Sequence, residues 1–310
     1  MTSKTAEYDV IIIGGGPSGL SAGIYAARDR VRTLMIEKDI IGGNIVNAEL
    51  VENYPGFPDG ISGFDLTQHM HSQATRFGME TIMAETTGLT VDGVRKTVMT
   101  NDGNYTGRTV IIAGGSTRQS LGAPGEKEFT GRGVSYCATC DAAFFTDEPV
   151  AVIGGGNAAI QEAVHLTRFA SEVTLVHRRD QLRATAIEQE RAFAEPKIKY
   201  AWNSAVAAIE GNDTVERVRL RNVKTDAESS LNVKGVFVAI GFSPSTGYLK
   251  GILTLDSAGQ IVVNDRMETN LPGVYAAGDI RSGSFRQVVT ACGDGAAAAM
   301  AAAKYLELNK

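Results

Sequence analysis

The chain has 310 residues, of which 43% are hydrophobic and 21% charged, and its formal net charge is −5. This length and composition indicate a folded protein of about two domains. Its basic residues are dispersed, which excludes the concentrated positive surface typical of nucleic-acid binding. No apolar run approaches the ~20 residues that span a bilayer, so we expect no membrane association.

The N-terminal residues 1–7 are polar and lead directly into a predicted strand. They leave no room for a signal or transit sequence, and we therefore expect a cytoplasmic protein. Three cysteines in such a chain argue against structural disulfides.

The first glycine-rich motif follows a predicted strand over Tyr8–Ile13 and precedes a helix-compatible stretch over Ser18–Arg28. Its glycines have the spacing GxGxxG and are Gly14, Gly16 and Gly19. A second predicted strand ends before Glu37, an acid about 20 residues past the loop. Strand, tight turn, helix and acid in this order are typical of a dinucleotide-binding βαβ unit. The glycines approach a pyrophosphate and the acid binds a ribose hydroxyl.

A second unit of the same kind begins with a predicted strand over Val150–Ile153, with a helix running to Phe169 and a strand over Val173–Val176. Its loop has the variant spacing GxGxxA, with Gly154, Gly156 and Ala159. The strand ends in basic residues rather than an acid, namely His177, Arg178, Arg179 and, soon after, Arg183.

This basic group favours a ribose 2′-phosphate as the ligand of the second unit. Guanidinium groups bind phosphate in a two-pronged geometry, and charge-assisted hydrogen bonds contribute roughly 1.5–3 kcal/mol each. Two such contacts would favour NADPH over NADH by about 10² to 10⁴. The alternative interpretation, a solvated basic loop, is disfavoured by the position of the arginines at the end of the second strand of a nucleotide fold.

A CxxC motif, Cys137–Cys140, lies between the two glycine-rich loops and is followed directly by Asp141. A CxxC can form half of a zinc site, but such sites show a second CxxC or a histidine pair, and the third cysteine here is the distant Cys292. The pattern therefore favours a working redox dithiol. Asp141 has two interpretations, proton transfer at the thiols or a carboxylate at a helix N-cap.

The connecting segments predict how the two units are arranged. Asp102–Gly103 predicts a hairpin turn before a buried strand over Thr109–Ala113. Glycine-rich stretches at 114–125 and 241–245 predict linkers. We expect an α/β fold with two Rossmann-like dinucleotide-binding domains. The second, at 117–245, is inserted into the first, at 1–116 and 246–310, and the linkers form a hinge.

The C-terminal segment holds a short predicted strand that ends in Gly278–Asp279, followed by Arg286, Gln287 and Val288. The alanine-rich run at 296–303 predicts a packed helix that starts after Gly295. Cys292 is expected to be a small core residue.

Taken in order, these motifs resemble the low-molecular-weight thioredoxin reductases of bacteria and archaea, and the resemblance runs nearly end to end. The segments that carry it are Gly14–Gly19, Glu52–Gly56, Cys137–Asp141, Gly154–Ala159, His177–Asp180, Gly278–Asp279 and Arg286–Val288.

The resemblance implies FAD in the outer domain, NADPH in the inserted domain, and a homodimer that reduces thioredoxin. It implies that Cys140 faces the flavin, that Cys137 attacks the substrate disulfide, and that Asp141 manages protons. The FAD contacts it implies are Gly14, Gly16, Ser18, Gly19, Glu37, Gly43, Asn44, Asn53, Gly278, Asp279, Arg286, Gln287 and Val288. The NADPH contacts it implies are Gly154, Gly156, Asn157, Ala159, His177, Arg178, Arg179 and Arg183.

Four positions depart from the usual pattern of that family. Gly114 replaces a common threonine, Asn44 a glutamine, Gln161 a glutamate and Phe242 a histidine. These changes affect flavin potential, coenzyme rate or oxygen reactivity rather than the class of reaction. Three other functions stay open: a flavin dithiol oxidase, a ferredoxin-fed thioredoxin reductase, and a non-catalytic NADPH-binding redox sensor.

No metal site is expected. His69 and His71 are two residues apart, which places them on different sides of a helix, whereas ligands need a spacing of three or four. Both are interpreted as surface residues. His165 and Trp202 are assigned to core or boundary packing.

Overall fold

The computed structural model describes residues 7–48 and 50–309. Residues 1–6, on which the expectation about a leader sequence depends, lie outside the described residues. The helices are α1 (Pro17–Arg28), α2 (Gly63–Arg76), α3 (Ala138–Asp141), α4 (Asn157–Leu166), α5 (Ala186–Ala194) and α6 (Val288–Leu308).

The strands up to the second glycine-rich loop are β1 (Glu7–Ile13), β2 (Thr33–Glu37), β3 (Glu80–Met83), β4 (Thr86–Asp92), β5 (Arg95–Thr100), β6 (Gly103–Ile112), β7 (Ser116–Arg118), β8 (Val134–Ser135) and β9 (Pro149–Gly154). Those after it are β10 (Glu172–Val176), β11 (Ile198–Ala201), β12 (Ser204–Gly211), β13 (Val215–Asn222), β14 (Glu228–Asn232), β15 (Gly235–Ala239), β16 (Phe242–Pro244) and β17 (Val274–Ala276).

The chain divides into two compact units. Unit 1 comprises Met1–Thr117 and Ser243–Lys310, and unit 2 comprises Arg118–Phe242. The chain passes between the units within β7 and β16, beside the glycine-rich stretches that predicted linkers, and these two strands pair in a sheet of their own.

Unit 1 is built on a mixed sheet with the order β3-β2-β1-β6-β5-β4. The long strand β6 has two partners on the same edge. Its first half, Gly103–Gly107, pairs antiparallel with β5, and Val110–Ile112 near its end pair parallel with β17. The predicted hairpin at Asp102–Gly103 is therefore confirmed. Because β17 comes from the C-terminal segment, that segment completes the first sheet.

Alternating side chains of β1 supply both faces of this sheet. Val10 and Ile12 belong to a core cluster with α1, α2 and α6, whereas Ile11 and Ile13 belong to a second cluster on the opposite face. A strand buried on both faces appears in the sequence as a continuous apolar run, which is what β1 shows.

Helix α6 begins at Val288, so the expectation of a helix starting after Gly295 was wrong. The early part of the helix contains two glycines, Gly293 and Gly295, which are poor helix formers. Gly295 is required there because an added Cβ would collide with the carbonyl oxygen of Ser18 in α1. The close approach of two helices outweighs the low helix propensity of glycine.

This contact leads to a matched prediction for two glycines of one helix. We expect Gly295→Ala to lower the free energy of unfolding by about 1–3 kcal/mol, because overpacking must push α1 and α6 apart. Gly293→Ala is the control, since its added Cβ would meet no atom within 4 Å. It should raise that free energy by about 0.5–1 kcal/mol through helix propensity. Urea unfolding of the FAD-loaded proteins measures both, and equal effects would contradict the packing explanation.

Unit 2 contains a parallel sheet with the order β11-β10-β9-β15-β8 and an antiparallel sheet with the order β12-β13-β14. Val150 and Val152 of β9 face a core that includes α4, and Ala151 and Ile153 face the other side. The predicted strands at 150–153 and 173–176 are present with boundaries within one residue. The helix predicted to reach Phe169 ends at Leu166, where a turn follows.

Candidate functional site: a dithiol and two dinucleotide loops

The first glycine loop follows the carboxyl end of β1, where the strand order of the sheet reverses between β2 and β6. Ligands of open α/β sheets bind at such a reversal. Gly14 has a φ of +106° and makes the tight turn, and Gly19 packs so closely on it that an added Cβ would strike the Gly14 carbonyl oxygen. Helix α1 begins at Pro17 without a side-chain cap.

Glu37 is buried at the end of β2 and is fixed by two main-chain donors. The Gly15 N–H lies 2.6 Å from Oε2, and the Asp39 N–H lies 2.9 Å from Oε1. Above the loop there is space, because an added Cβ at Gly16 would meet nothing closer than the Gly42 oxygen at 4.0 Å. An uncapped helix start, an open glycine and a fixed acid fit the pyrophosphate and ribose of FAD.

The second loop repeats this arrangement in unit 2, after β9 and at the reversal between β10 and β15. Helix α4 begins after Gly156 without a side-chain cap, and an added Cβ at Gly156 would meet no atom within 4 Å. The Asn157 side chain accepts the Thr185 N–H at 2.8 Å, and the Gly155 oxygen accepts the Arg183 N–H at 2.7 Å. These bonds hold the basic segment against the loop.

The basic residues of that segment divide by exposure. Arg178, Arg179 and Arg183 are exposed, and among the described residues none of them forms an ion pair. His177 is buried, its Nε2 has no hydrogen-bond partner, and its ring covers Gly155. Burial and the nearby Arg183 lower the pKa of His177, which favours the neutral form of the ring. Unpaired guanidinium groups beside an uncapped helix fit the 2′-phosphate of NADPH.

The dithiol lies in unit 2 as well. Cys137 and Cys140 form a disulfide with their Cα atoms 5.4 Å apart. Cys137 precedes α3, and its sulfur accepts the Cys140 N–H at 3.2 Å. Cys137 is half-buried, whereas Cys140 is exposed.

Asp141 ends α3, and its carboxylate accepts the Ser135 hydroxyl at 2.6 Å. Asp141 occupies the N-cap position of the 3₁₀ turn that follows, as one interpretation predicted, but its carboxylate makes no capping bond there. Ser135 was missed by the sequence reasoning, because a serine two residues before a CxxC has no special meaning as a pattern.

The Gly278–Asp279 turn is held by a salt bridge that the motif did not reveal. Arg281 forms a two-pronged salt bridge with Asp294, with Nε–Oδ2 and Nη2–Oδ1 distances of 2.7 and 2.8 Å. Asp294 also accepts a hydrogen bond from the Gly278 N–H. Asp279 accepts the Ser284 hydroxyl at 3.1 Å. Burial raises the pKa of Asp279, while Ser284 and Arg286 oppose that rise.

The predicted FAD contacts of the flanking segments come together within unit 1. Asn53 donates to the Gln287 side chain at 3.0 Å, although 234 positions separate them. Asn44 donates to the Ser116 carbonyl at 2.8 Å. Gly43, with a φ of +64°, lies against the Cα of Gly16. Arg286 adopts a φ of +56° just before Val288, where α6 begins.

The remaining residues singled out in the sequence have ordinary surroundings. His69 is exposed, and His71 is partly exposed with its Nε2 3.3 Å from the Thr81 hydroxyl. Trp202 stacks on Tyr200 with ring centres 5.0 Å apart. Cys292 is half-buried, and burial raises the pKa of its thiol. In the described part of the chain, no cluster of three or more potential metal ligands occurs.

Glu162 of α4 is a buried carboxyl that no motif indicated. Its Oε1 lies 2.8 Å from the Arg118 guanidinium, while its Oε2 has no partner. Burial raises its pKa to about 7, against the opposing effect of Arg118. Next to it, Gln161 donates to Glu188 at 2.9 Å.

Two dinucleotide loops and a dithiol in one chain define a class of flavin- and nicotinamide-dependent disulfide oxidoreductases. Residues 8–295 match the model of the family described as pyridine nucleotide-disulphide oxidoreductase. The chain is 47% identical over 308 residues to a thioredoxin reductase of Peptoclostridium acidaminophilum, covering 97% of this chain and 98% of that protein. It is 47% identical over 307 residues to the thioredoxin reductase of Bacillus subtilis, covering 98% and 96%.

Solved structures agree with these relatives. The crystal structure of Lactococcus lactis thioredoxin reductase matches with a TM-score of 0.95 and 42% identity, covering 97% of this chain and 99% of that one. That of T. acidophilum thioredoxin reductase matches with a TM-score of 0.92 and 34% identity, covering 98% and 99%. The chain therefore belongs to the pyridine nucleotide-disulphide oxidoreductase family and, within it, to the thioredoxin reductases.

These comparisons confirm the predicted fold class, an α/β protein with two Rossmann-like dinucleotide-binding domains of which one is inserted into the other. FAD and NADPH are the cofactors of this family, as predicted. No helix in the described residues is both long and apolar enough to cross a bilayer.

Proposed function

We propose that this chain is an NADPH-dependent thioredoxin-disulfide reductase in which the Cys137–Cys140 disulfide is the relay to thioredoxin. The observation that carries this proposal is a disulfide formed by a CxxC motif in the same unit as a loop suited to NADPH. Membership of the thioredoxin reductases supports it.

We assign FAD to unit 1 and NADPH to unit 2. In unit 1 the pyrophosphate would lie on Gly14–Gly19, with Glu37 at the adenosine ribose and Asp279 toward the ribityl chain. In unit 2 the pyrophosphate would lie on Gly154–Ala159, with the 2′-phosphate between Arg178, Arg179 and Arg183. When bound there, NADPH would supply a hydride and FAD would supply the electron pair that reduces the disulfide.

Once the dithiol is reduced, the chain's own residues carry out disulfide exchange. The Cys137 sulfur, beside the Cys140 N–H, attacks one sulfur of the substrate disulfide and releases the other as a thiolate. The Asp141 carboxylate takes the Cys137 proton and returns it to that leaving thiolate. The Cys140 thiol then attacks the Cys137 sulfur, the second substrate thiolate leaves with the Cys140 proton, and the Cys137–Cys140 bond forms again.

Reduction and exchange need the same dithiol in two surroundings. Because Cys140 and the NADPH loop belong to one unit, we propose that unit 2 changes its orientation between the two reactions, using β7 and β16 as the hinge. We also propose that the protein acts as a cytoplasmic homodimer, which light scattering of the FAD-loaded protein would test.

Anaerobic titration of the FAD-loaded protein tests the assignment. We expect NADPH to bleach the flavin absorbance quickly, NADH to do so poorly, and oxidised thioredoxin to restore the yellow colour over many turnovers. If dithionite or reduced ferredoxin bleaches the flavin and neither nicotinamide does, the coenzyme assignment is wrong. A single turnover followed by arrest would instead indicate a redox sensor, and oxygen as the better acceptor would indicate a dithiol oxidase.

A further inference from the structure

Ser135 connects the two groups that the exchange reaction uses. Its hydroxyl donates to the Asp141 carboxylate at 2.6 Å, and the same oxygen accepts the Cys137 N–H at 3.0 Å. The Cys137 carbonyl oxygen is a longer alternative acceptor at 3.3 Å. Hydrogen bonds to a charged acceptor are shorter and about twice as strong as neutral ones. The hydroxyl hydrogen of Ser135 therefore points to the Asp141 carboxylate rather than to the Cys137 carbonyl oxygen.

Ser135 itself is fixed by the sheet rather than by the dithiol. It is 5% exposed and lies in β8, where it pairs with Phe237 of β15 in parallel register. The next residue, Tyr136, donates its hydroxyl to the buried Glu126 at 2.8 Å, and that carboxylate also accepts the Leu121 and Gly122 N–H groups. Ser135 is therefore fixed by its strand pairing and by the hydrogen bond of the next residue, whereas Asp141 ends a helix of a single turn.

We propose that Ser135 is a positioning residue that holds the Asp141 carboxylate beside the Cys137 end of the dithiol. This inference rests on the proposed function, because it assumes that Asp141 takes a proton from Cys137. A buried hydroxyl that donates to a carboxylate at 2.6 Å restricts that carboxylate to one orientation. Ser135 thus keeps the proton acceptor in place during exchange.

Ser135→Ala tests this role. We expect the rate at which the pre-reduced enzyme reduces thioredoxin in a single turnover to fall about 10-fold, the effect of losing one charge-assisted hydrogen bond. The loss should appear in the limiting rate at saturating thioredoxin and leave the half-saturating thioredoxin concentration unchanged, because the proposed role concerns the proton acceptor rather than substrate binding. NADPH-dependent reduction of ferricyanide, which draws electrons from the flavin without the dithiol, should not change.

Three further variants separate positioning from a general structural role. In an Asp141→Asn background, adding Ser135→Ala should change the rate less than twofold, because no carboxylate is left to position. Thr167→Val is the matched control, since it removes another buried hydroxyl of unit 2 that donates only to a main-chain oxygen, that of Val164. Ser135→Thr, which keeps the hydroxyl, should restore the rate.

A wild-type exchange rate in Ser135→Ala would overturn the proposal, and loss of folded protein cannot imitate a lowered rate when each rate is expressed per bound flavin. Equal losses from Ser135→Ala with and without Asp141 would also overturn it. A small aromatic disulfide, 5,5′-dithiobis(2-nitrobenzoate), serves as a second acceptor. Should the wild-type enzyme reduce it but not thioredoxin, the substrate assignment fails, and the Ser135 comparison still stands on the small disulfide.

Discussion

Cys140→Ser is expected to stop thioredoxin reduction while leaving electron transfer from NADPH to the flavin intact. The rate with thioredoxin should fall by a factor on the order of 10³ or more, as is typical when one member of a catalytic unit is removed. Without Cys140 the Cys137–Cys140 disulfide cannot form, and Cys140 is not there to release a mixed disulfide from Cys137. The measurement is steady-state NADPH oxidation with thioredoxin and, separately, with ferricyanide.

Cys292→Ser is the matched control for this experiment. Cys292 is the free cysteine of the described chain, and its sulfur lies 3.7 Å from the Pro17 oxygen, away from the dithiol in sequence and in a different unit. We expect thioredoxin reduction within twofold of the wild-type rate. Sustained turnover by Cys140→Ser would show that electrons reach thioredoxin without the Cys137–Cys140 pair and would contradict the proposed relay.

The second large effect is expected from the paired change Arg178→Ala and Arg179→Ala. Each guanidinium contributes roughly 1.5–3 kcal/mol to a bound phosphate, so kcat/KM for NADPH should fall by about 10² to 10⁴. The value for NADH should change little, because NADH has no 2′-phosphate. Initial rates with both coenzymes and a saturating ferricyanide acceptor measure the preference directly.

Arg217→Ala controls for the loss of positive charge in unit 2. Arg217 lies in β13, where it is paired with Glu210 at 2.7 Å, and it plays no part in the coenzyme assignment. Replacing it should leave kcat/KM unchanged for both NADPH and NADH. If the double change at Arg178 and Arg179 lowered kcat/KM equally for NADPH and NADH, the arginines would be acting on a group that both coenzymes share, such as the pyrophosphate.

The contrast between α1 and α6 shows which elements could be predicted. Helix α1 follows a strand and a GxGxxG loop, so its start was predicted to within one residue. Helix α6 starts eight residues before the predicted position, and its early part contains Gly293 and Gly295, which have low helix propensity. Gly295 is explained by its contact with Ser18, which lies in α1, and a contact between residues so far apart leaves no periodic pattern.

The residues of the site show the same difference between local motifs and long-range contacts. The glycines, Glu37 and the dithiol could be named because each belongs to a short motif with fixed spacing. The Asn53–Gln287 bond, the Arg281–Asp294 salt bridge and the buried Glu162 carboxyl could not, since their partners are brought together only by the folded chain. Roles for the named residues stay predictions until the variants above are measured.

By itself, the sequence determined the class of fold, the two dinucleotide loops, the redox dithiol and the likeness to thioredoxin reductases. These features are local, since strand, turn and helix preferences act within about 30 residues and survive as spacing. The tertiary structure alone decided that β17 completes the first sheet, that α6 packs on α1, and that Ser135 holds Asp141. Those outcomes depend on which apolar surfaces pack together and which buried polar groups find hydrogen-bond partners. Both are decided only when the whole chain folds.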